Sequence, residues 1–256
     1  MTGEIVRVSK YFENDIVRTR FREVLGASSG AYIASVLLAV ANSDKLQKCT
    51  PTSIYSAALQ AATLRLSVDP STGQAYLVPF KDKATLIVGY KGLYDLAVRT
   101  GKYRYINVGK VYEGEVVTED RLSGFHSISG GKKSDIIIGW IAAFEMTNGY
   151  AKTIYMTVDE IHKHAQKYAK AYDLPTSGWK TDTKAMERKT VLRLLLRRWG
   201  YLDPTDVGVL EEVEEASNGD VIDAVANEAP PEEPTGAETL SEPRSELEIL
   251  TEMGIY

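Results

Sequence analysis

The sign of the charge changes at Asp203, and that change predicts a folded body in the residues before it and a linker-like segment after it. Residues 1–202 hold 29 of the 30 lysines and arginines and 19 of the 35 aspartates and glutamates, a formal charge of +10. Residues 203–256 hold 16 acids and one base, Arg244, a charge of −15. Acids at that density repel one another and resist collapse. With the stretch Ala229–Pro234 (APPEEP), the segment reads as a flexible acidic C-terminal tail, in which Glu246–Met253 has the spacing for one short helix. The expected organisation is therefore a basic core over 1–202 and a tail over 203–256. A basic body of this kind attracts polyanions, which the overall charge of −5 conceals.

Residues 1–25 are charged and weakly patterned, so no element is assigned to them. Ala31–Ala41 (AYIASVLLAVA) reads as a buried helix. Thr50-Pro51 opens another, with threonine as N-cap and proline in the first turn, and Asp69-Pro70-Ser71-Thr72-Gly73 ends it with a turn. Two β runs, Gln74–Phe80 and Ala84–Gly89, flank a hairpin loop, and Pro79 puts the first at an edge. A helix over Tyr90–Thr100 stops at Gly101, and a strand follows over Tyr103–Tyr112. Ser123–Lys133 is read as a loop. Asn148-Gly149 then turns the strand Asp135–Met146 back into Tyr150–Met156. Thr157 and Glu160 form a capping box for a helix reaching about Tyr172, and the last core helix spans Thr183–Trp199. This succession predicts an α+β fold, a small antiparallel sheet with hairpins packed against helices.

Several chemistries find little support. There is no GxxxxGK[ST] phosphate loop, so no ATP-driven step is expected, and Gly130-Gly131-Lys132-Lys133 has the wrong spacing and reads as a mobile loop. His162 and His164 are two apart on a helix and face different ways; His126 is isolated. Glu113, Glu115, Glu119 and Asp120 form a loose acidic group able to hold a divalent cation, which keeps a metal-dependent nuclease open. The lone Cys49 rules out an internal disulfide and points to a reducing, cytoplasmic setting. No apolar run approaches the roughly 20 residues of a membrane helix, so no membrane role is expected.

Cations and aromatics interleave in two places. The first, Tyr76 to Tyr105, carries Tyr76, Lys81, Lys83, Tyr90, Lys91, Arg99, Lys102 and Arg104. Single strands are held by cations along phosphates and by flat side chains that stack on bases, so these residues are candidate DNA contacts. The second carries Lys184, Arg188, Lys189, Arg193, Arg197 and Arg198. Lys189, Arg193 and Arg197 are four apart and form one stripe of a helix, with Leu192, Leu195, Leu196 and Trp199 assigned to the opposite, core-facing side. Lys184 and Arg188 fall nearer the apolar side, reaching out of a cleft.

Both places carry a family resemblance. Gln74–Phe80 (QAYLVPF) followed by Ile87–Gly101 (IVGYKGLYDLAVRTG) resembles the central signature of the RecT family of phage single-strand annealing proteins. Gly178-Trp179, Asp182, Met186, Lys189–Arg193 and Trp199 form a second matching block, with Val111–Gly114 and the Asn148-Gly149 hairpin in order between them. The match covers about residues 25–200 and leaves the tail unmatched. It implies a DNA-binding protein that anneals complementary strands without nucleotide hydrolysis, as a ring or helical homo-oligomer acting on single-stranded and annealed duplex DNA. No cofactor is implied; a divalent cation would enter only with the DNA. It further implies a partner exonuclease, a bacterial cytoplasm and, through the C-terminal region, host single-strand-binding protein. Tyr90, Lys91 and Arg99 lie in the first block and Lys189 and Arg193 in the second, whereas Lys102 and Arg104 are added from charge alone. A passive single-strand-binding module remains the alternative.

Overall fold

In the computed structural model, which describes residues 3–169, 172–173, 175 and 177–216, helices form the N-terminal part. They are α1 (Gly3–Phe12), α2 (Asp15–Leu25), α3 (Ser29–Ala41), α4 (Asp44–Gln47) and α5 (Pro51–Thr63). The first two occupy the segment that sequence left unassigned. Val8 and Phe12 on α1, and Val17 and Phe21 on α2, are four apart, and all four are buried. Asn14 caps α2 by accepting the Ile16 N–H at 2.8 Å. Gly26 ends α2 with φ 59°, and a short 3-10 turn leads into α3. The combined helical stretch Asp15–Ala41 is long and apolar enough to cross a membrane by length and composition, which corrects the expectation that no such run exists. Here it is broken at Gly26 and contributes Phe21, Val36 and Val40 to the core.

The hairpin of β1 (Ala75–Phe80) and β2 (Lys83–Val88) packs on α5, as the two β runs predict. Thr50 caps α5 through the Ser53 N–H and also donates its own N–H to Asp82 O at 2.9 Å, so cap and hairpin loop fix each other. Next comes α6 (Tyr90–Arg99), followed by β3 (Tyr103–Tyr112). A second hairpin, β4 (Glu115–Asp120) with β5 (Phe125–Gly130), stands where a loop was expected over Ser123–Lys133. It is exposed along most of its length, so its residues carry no apolar alternation for a sequence reading to detect. Likewise Lys132 is tethered, not loose: its Nζ contacts Asp135 and lies 4.1 Å from the Tyr112 ring centre.

A three-stranded antiparallel sheet is formed by β3, β6 (Ile137–Met146) and β7 (Ala151–Thr157), with β6 in the middle. The Thr157–Glu160 capping box opens α7 (Val158–Tyr168), which stops four residues short of the expected Tyr172. Then follow α8 (Gly178–Thr181), α9 (Thr183–Trp199) and α10 (Pro204–Ala216). The last lies inside the segment read as an unstructured tail, and its Val213 is buried in the main core. The expected helix at Glu246–Met253 lies outside the described residues.

The core has three parts. The N-terminal helices and the first hairpin enclose one, while the sheet with α7, α8 and α9 encloses another. Leu93 and Ala97 of α6 against Leu192 and Leu196 of α9 form the third, which links the two. The start of α6 is held against the turn before β1: the Gly89 N–H donates to Gln74 O at 2.8 Å. A Cβ on Gly92 would collide with that same Gln74 carbonyl, and one on Gly89 with Gly73 O. Gly92→Ala should therefore lower the unfolding free energy by about 1–3 kcal/mol, the usual cost of overpacking a tight site. An unchanged denaturant midpoint would show that the turn can move aside.

Candidate nucleic-acid interface

Two glycines let the start of α6 approach the loop before β1, and the side chains around that approach are Tyr76 and Lys91. The Tyr76 ring lies beside Gly89, and the Lys91 stem lies against Gly73, whose φ of 66° suits glycine. Gly89 offers no side chain to cap the helix. The first N–H groups of α6 and a lysine thus meet at one place, an arrangement that favours anions. Further along, Arg99 is already engaged: its guanidinium donates to Leu64 O at 3.1 Å and pairs with Asp95 at 3.0 Å. Asp95 in turn accepts from Gln74 Nε2, so Arg99 helps to hold the turn as well as facing outward.

The α9 cations do not form an outer stripe. Asp182 caps the helix through the Ala185 N–H, and the helix is then buried on most sides. Arg193 is 8 % exposed, Lys189 and Arg188 are half-buried, and Lys184 and Arg197 are exposed. The assignment of Leu196 to the side opposite Arg193 is corrected: three residues apart, they share a face. Together with Arg197, they line a cavity of about 380 Å³ whose other walls include Ile87, Val88 and Leu93. This is where the two sequence blocks meet. Desolvation, reinforced by the neighbouring Arg193 cation, pushes the Arg197 guanidinium down to about 10, so it remains charged at neutral pH. Its outer surface stays exposed, and the two guanidiniums lie close together beside apolar walls, with Glu211 on the same cavity.

Other candidates lie elsewhere. Lys81 (φ 55°) and Lys83 are exposed at the loop of the first hairpin, about 16 Å along β2 from Val88. Arg104 sits at a register shift in β3 and pairs with Glu145. Tyr90 packs into the α6–α9 junction, so its ring is at least partly structural. Lys184 acts on Asp135, at the opposite end of α9 from the cavity. Lys102 lies 5.9 Å from the Tyr201 ring centre.

That last contact belongs to a group of which sequence reasoning named Lys102, Arg198 and Trp199 but missed Lys152 and Tyr201. Beside the C-terminal end of α9, Lys152 and Arg198 lie 5.4 and 5.3 Å from the Trp199 ring centre. Tyr201 is fixed nearby, since the Tyr103 hydroxyl donates to its carbonyl at 2.9 Å and accepts its N–H. Lys152 comes from β7, far away in sequence, which is why spacing did not reveal it. Arg65, exposed with φ 53°, is a further unassigned cation, on the wall of an open groove with Tyr32 and Gln74.

The loose acidic group does not converge. Glu113 accepts from Ser134, Glu115 from the Tyr112 N–H, and Asp120 from the Leu122 N–H. Among the described residues, no three histidine, cysteine, aspartate or glutamate side chains come together as a metal site.

A family model described as "RecT family" matches residues 30–227. The chain belongs to the RecT family. As a RecT-family protein it is of the recombination and strand-annealing class. The match reaches past Gly200, where the sequence resemblance was expected to stop, and so takes in α10. An uncharacterized protein of Bacillus subtilis (strain 168), YqaK, is 39 % identical over 232 residues, covering 86 % of this chain and 80 % of that protein. Protein RecT of Escherichia coli (strain K12) is 28 % identical over 162 residues, 59 % of either chain. The chain thus spans little more than half of that second relative.

Trp179 of the second RecT block also helps to build the support beneath α9. Glu187 is buried; its carboxylate accepts from Trp140 Nε1–H at 2.8 Å and lies 2.9 Å from His162 Nε2. His162 Nδ1 is 2.7 Å from the Tyr172 hydroxyl, and Trp179 packs on both rings. Glu187→Ala would strand the buried indole N–H and should destabilise the fold by about 1–3 kcal/mol. Thermal unfolding checks this, and an unchanged melting temperature would mean that the network carries no net stability.

Proposed function

We propose that the protein binds single-stranded DNA across the α6–α9 surface and anneals it to a complementary strand without nucleotide hydrolysis. The observation that carries this reading is the pair Arg193 and Arg197, held beside apolar walls where the two RecT blocks meet. Guanidiniums crowded in this way gain from an anion placed between them, and phosphates supply one at every nucleotide. Tyr76 and Lys91 at the start of α6, and the Lys152–Trp199–Arg198 group beyond α9, extend the same chemistry in both directions.

In this mechanism, cations neutralise one strand and leave its bases free to pair. Sequence specificity comes from base pairing alone, and the protein supplies alignment. Contacts that are weak singly add up along an oligomer of the chain, so binding is cooperative. The missing phosphate-loop motif supports an ATP-independent step. Work beside an exonuclease that exposes the strand, and contact of residues 203–256 with a host single-strand-binding protein, complete the proposal.

Arg197→Ala and Lys189→Ala should each weaken binding to a labelled oligo-dT. Each should also flatten the dependence of log affinity on log salt by about 0.7, the loss of one phosphate contact on a single strand. In the absence of ATP, complementary oligonucleotides should anneal faster with the wild-type protein than alone. Slower pairing would mark a passive coat, and unchanged affinity and salt slope in both variants would remove α9 from the interface.

A further inference from the structure

The proposed DNA surface is not open in this structure: α10 lies over part of it. Glu211 of α10 lines the same cavity as Arg193 and Arg197, together with Val207, Leu210 and Val213 of the same helix. In the first turn of α10, Asp206 feels the charges of Arg99 and Arg65. The helix therefore faces cations from three separate places: the end of α5, α6 and α9. It begins immediately after the residue where the charge of the chain changes sign.

We infer that α10 is an autoinhibitory helix, which occupies the Arg193–Arg197 cleft in the resting protein and is displaced when a DNA strand enters. This rests on the reading of that cleft as a DNA site. On displacement, Leu86, Val88, Leu93 and Leu196 would floor a groove with guanidiniums on its wall, apolar below and cationic beside, as a nucleotide strand requires.

Three features make α10 easy to displace. First, its seat is imperfect: a void of about 380 Å³ remains beneath it, although Val213 is buried. Second, Glu211 and Glu212 fall in its C-terminal half, where the helix dipole disfavours negative charge, and Gly208 weakens its middle. Isolated helices of this length are marginal, so α10 depends on docking to stay folded. Third, the Asp206 carboxyl is raised by burial and by Asp203, against the pull of Arg99 and Arg65. Returning it to water relieves that burden. The N-terminal end, by contrast, is firm: Asp203 accepts the Thr205 N–H at 3.0 Å, and Tyr201 is fixed by Tyr103. A displaced α10 would swing about residues 200–203.

The test uses the full chain and oligo-dT. In hydrogen–deuterium exchange, amides of residues 207–213 should lose protection when the oligonucleotide binds. In anisotropy titrations, Glu211→Gln should tighten binding by about two- to fivefold, the factor expected from one partly exposed charge contact. Glu212→Gln removes the same charge from an exposed site on the same helix and should change affinity less than twofold. If α10 stays protected in the complex, or both variants behave alike, the inference fails while the DNA site stands. If the wild-type protein does not bind oligo-dT at all, both fail.

Discussion

Everything in this molecule depends on α9 being buried on several sides at once. A surface helix offers one apolar stripe to a core. This one presents Val191 and Leu195 to the sheet and Leu192 and Leu196 to α6. It thereby joins a body of helices and a hairpin to a three-stranded sheet, neither of which closes its apolar surface alone. The consequence is electrostatic as much as mechanical. A helix enclosed in this way has little solvent-facing surface left, so its arginines emerge where packing is incomplete, along the cavity edge and at its end. The position of positive charge is thus set by the core.

The acid at Glu187 shows how polar groups are accommodated in such a helix. A carboxylate removed from water is costly unless its oxygens are satisfied, and here one faces an indole N–H and the other an imidazole. These contacts tie α9 to β6 and α7 on the side away from the cavity. Asp182 fixes the beginning of the helix, and the Tyr103–Tyr201 contacts fix the chain just beyond its end. Held at both ends and along one side, α9 cannot rotate to relieve the crowding of Arg193 and Arg197. Relief comes instead from negative charge beside them, such as Glu211 on the same cavity.

Local chemistry made much of the fold legible in the sequence. Thr50-Pro51, Asn148-Gly149 and the Thr157–Glu160 box each fix backbone geometry within a few residues, and all three act where expected. What escaped detection lacked such signals. The pairs Val8/Phe12 and Val17/Phe21 were present in α1 and α2 but diluted by charge. The β4–β5 hairpin has no buried face to impose alternation. In α10, the acid content that marks a tail outweighed Val209, Leu210 and Val213, which pack on the core as Leu202 does just before the helix. The candidate interface was legible in part. Sequence picked out both blocks, yet it could not show that Lys81, Lys83 and Lys184 lie away from the cavity, or that Lys152 joins Trp199. Those are facts of tertiary contact, and no spacing rule encodes them.

The choice of arginine at 193 and 197 follows from the same geometry. Desolvation and a like-charged neighbour both oppose protonation, and they bring even the Arg197 guanidinium down to about 10. A lysine, whose ordinary value lies about two units below that of arginine, would be drawn toward neutrality under the same penalty. Its charge would then depend on whether an anion was already bound. Arginine keeps the charge without that condition, and its planar fork engages phosphate oxygens in pairs. Among the lysines, Lys81, Lys83, Lys102 and Lys184 are exposed, and Lys91 and Lys189 are half-buried. The permanent charges of Arg193 and Arg197 line the cavity formed by the core, and Lys81, Lys83 and Lys184 lie away from it.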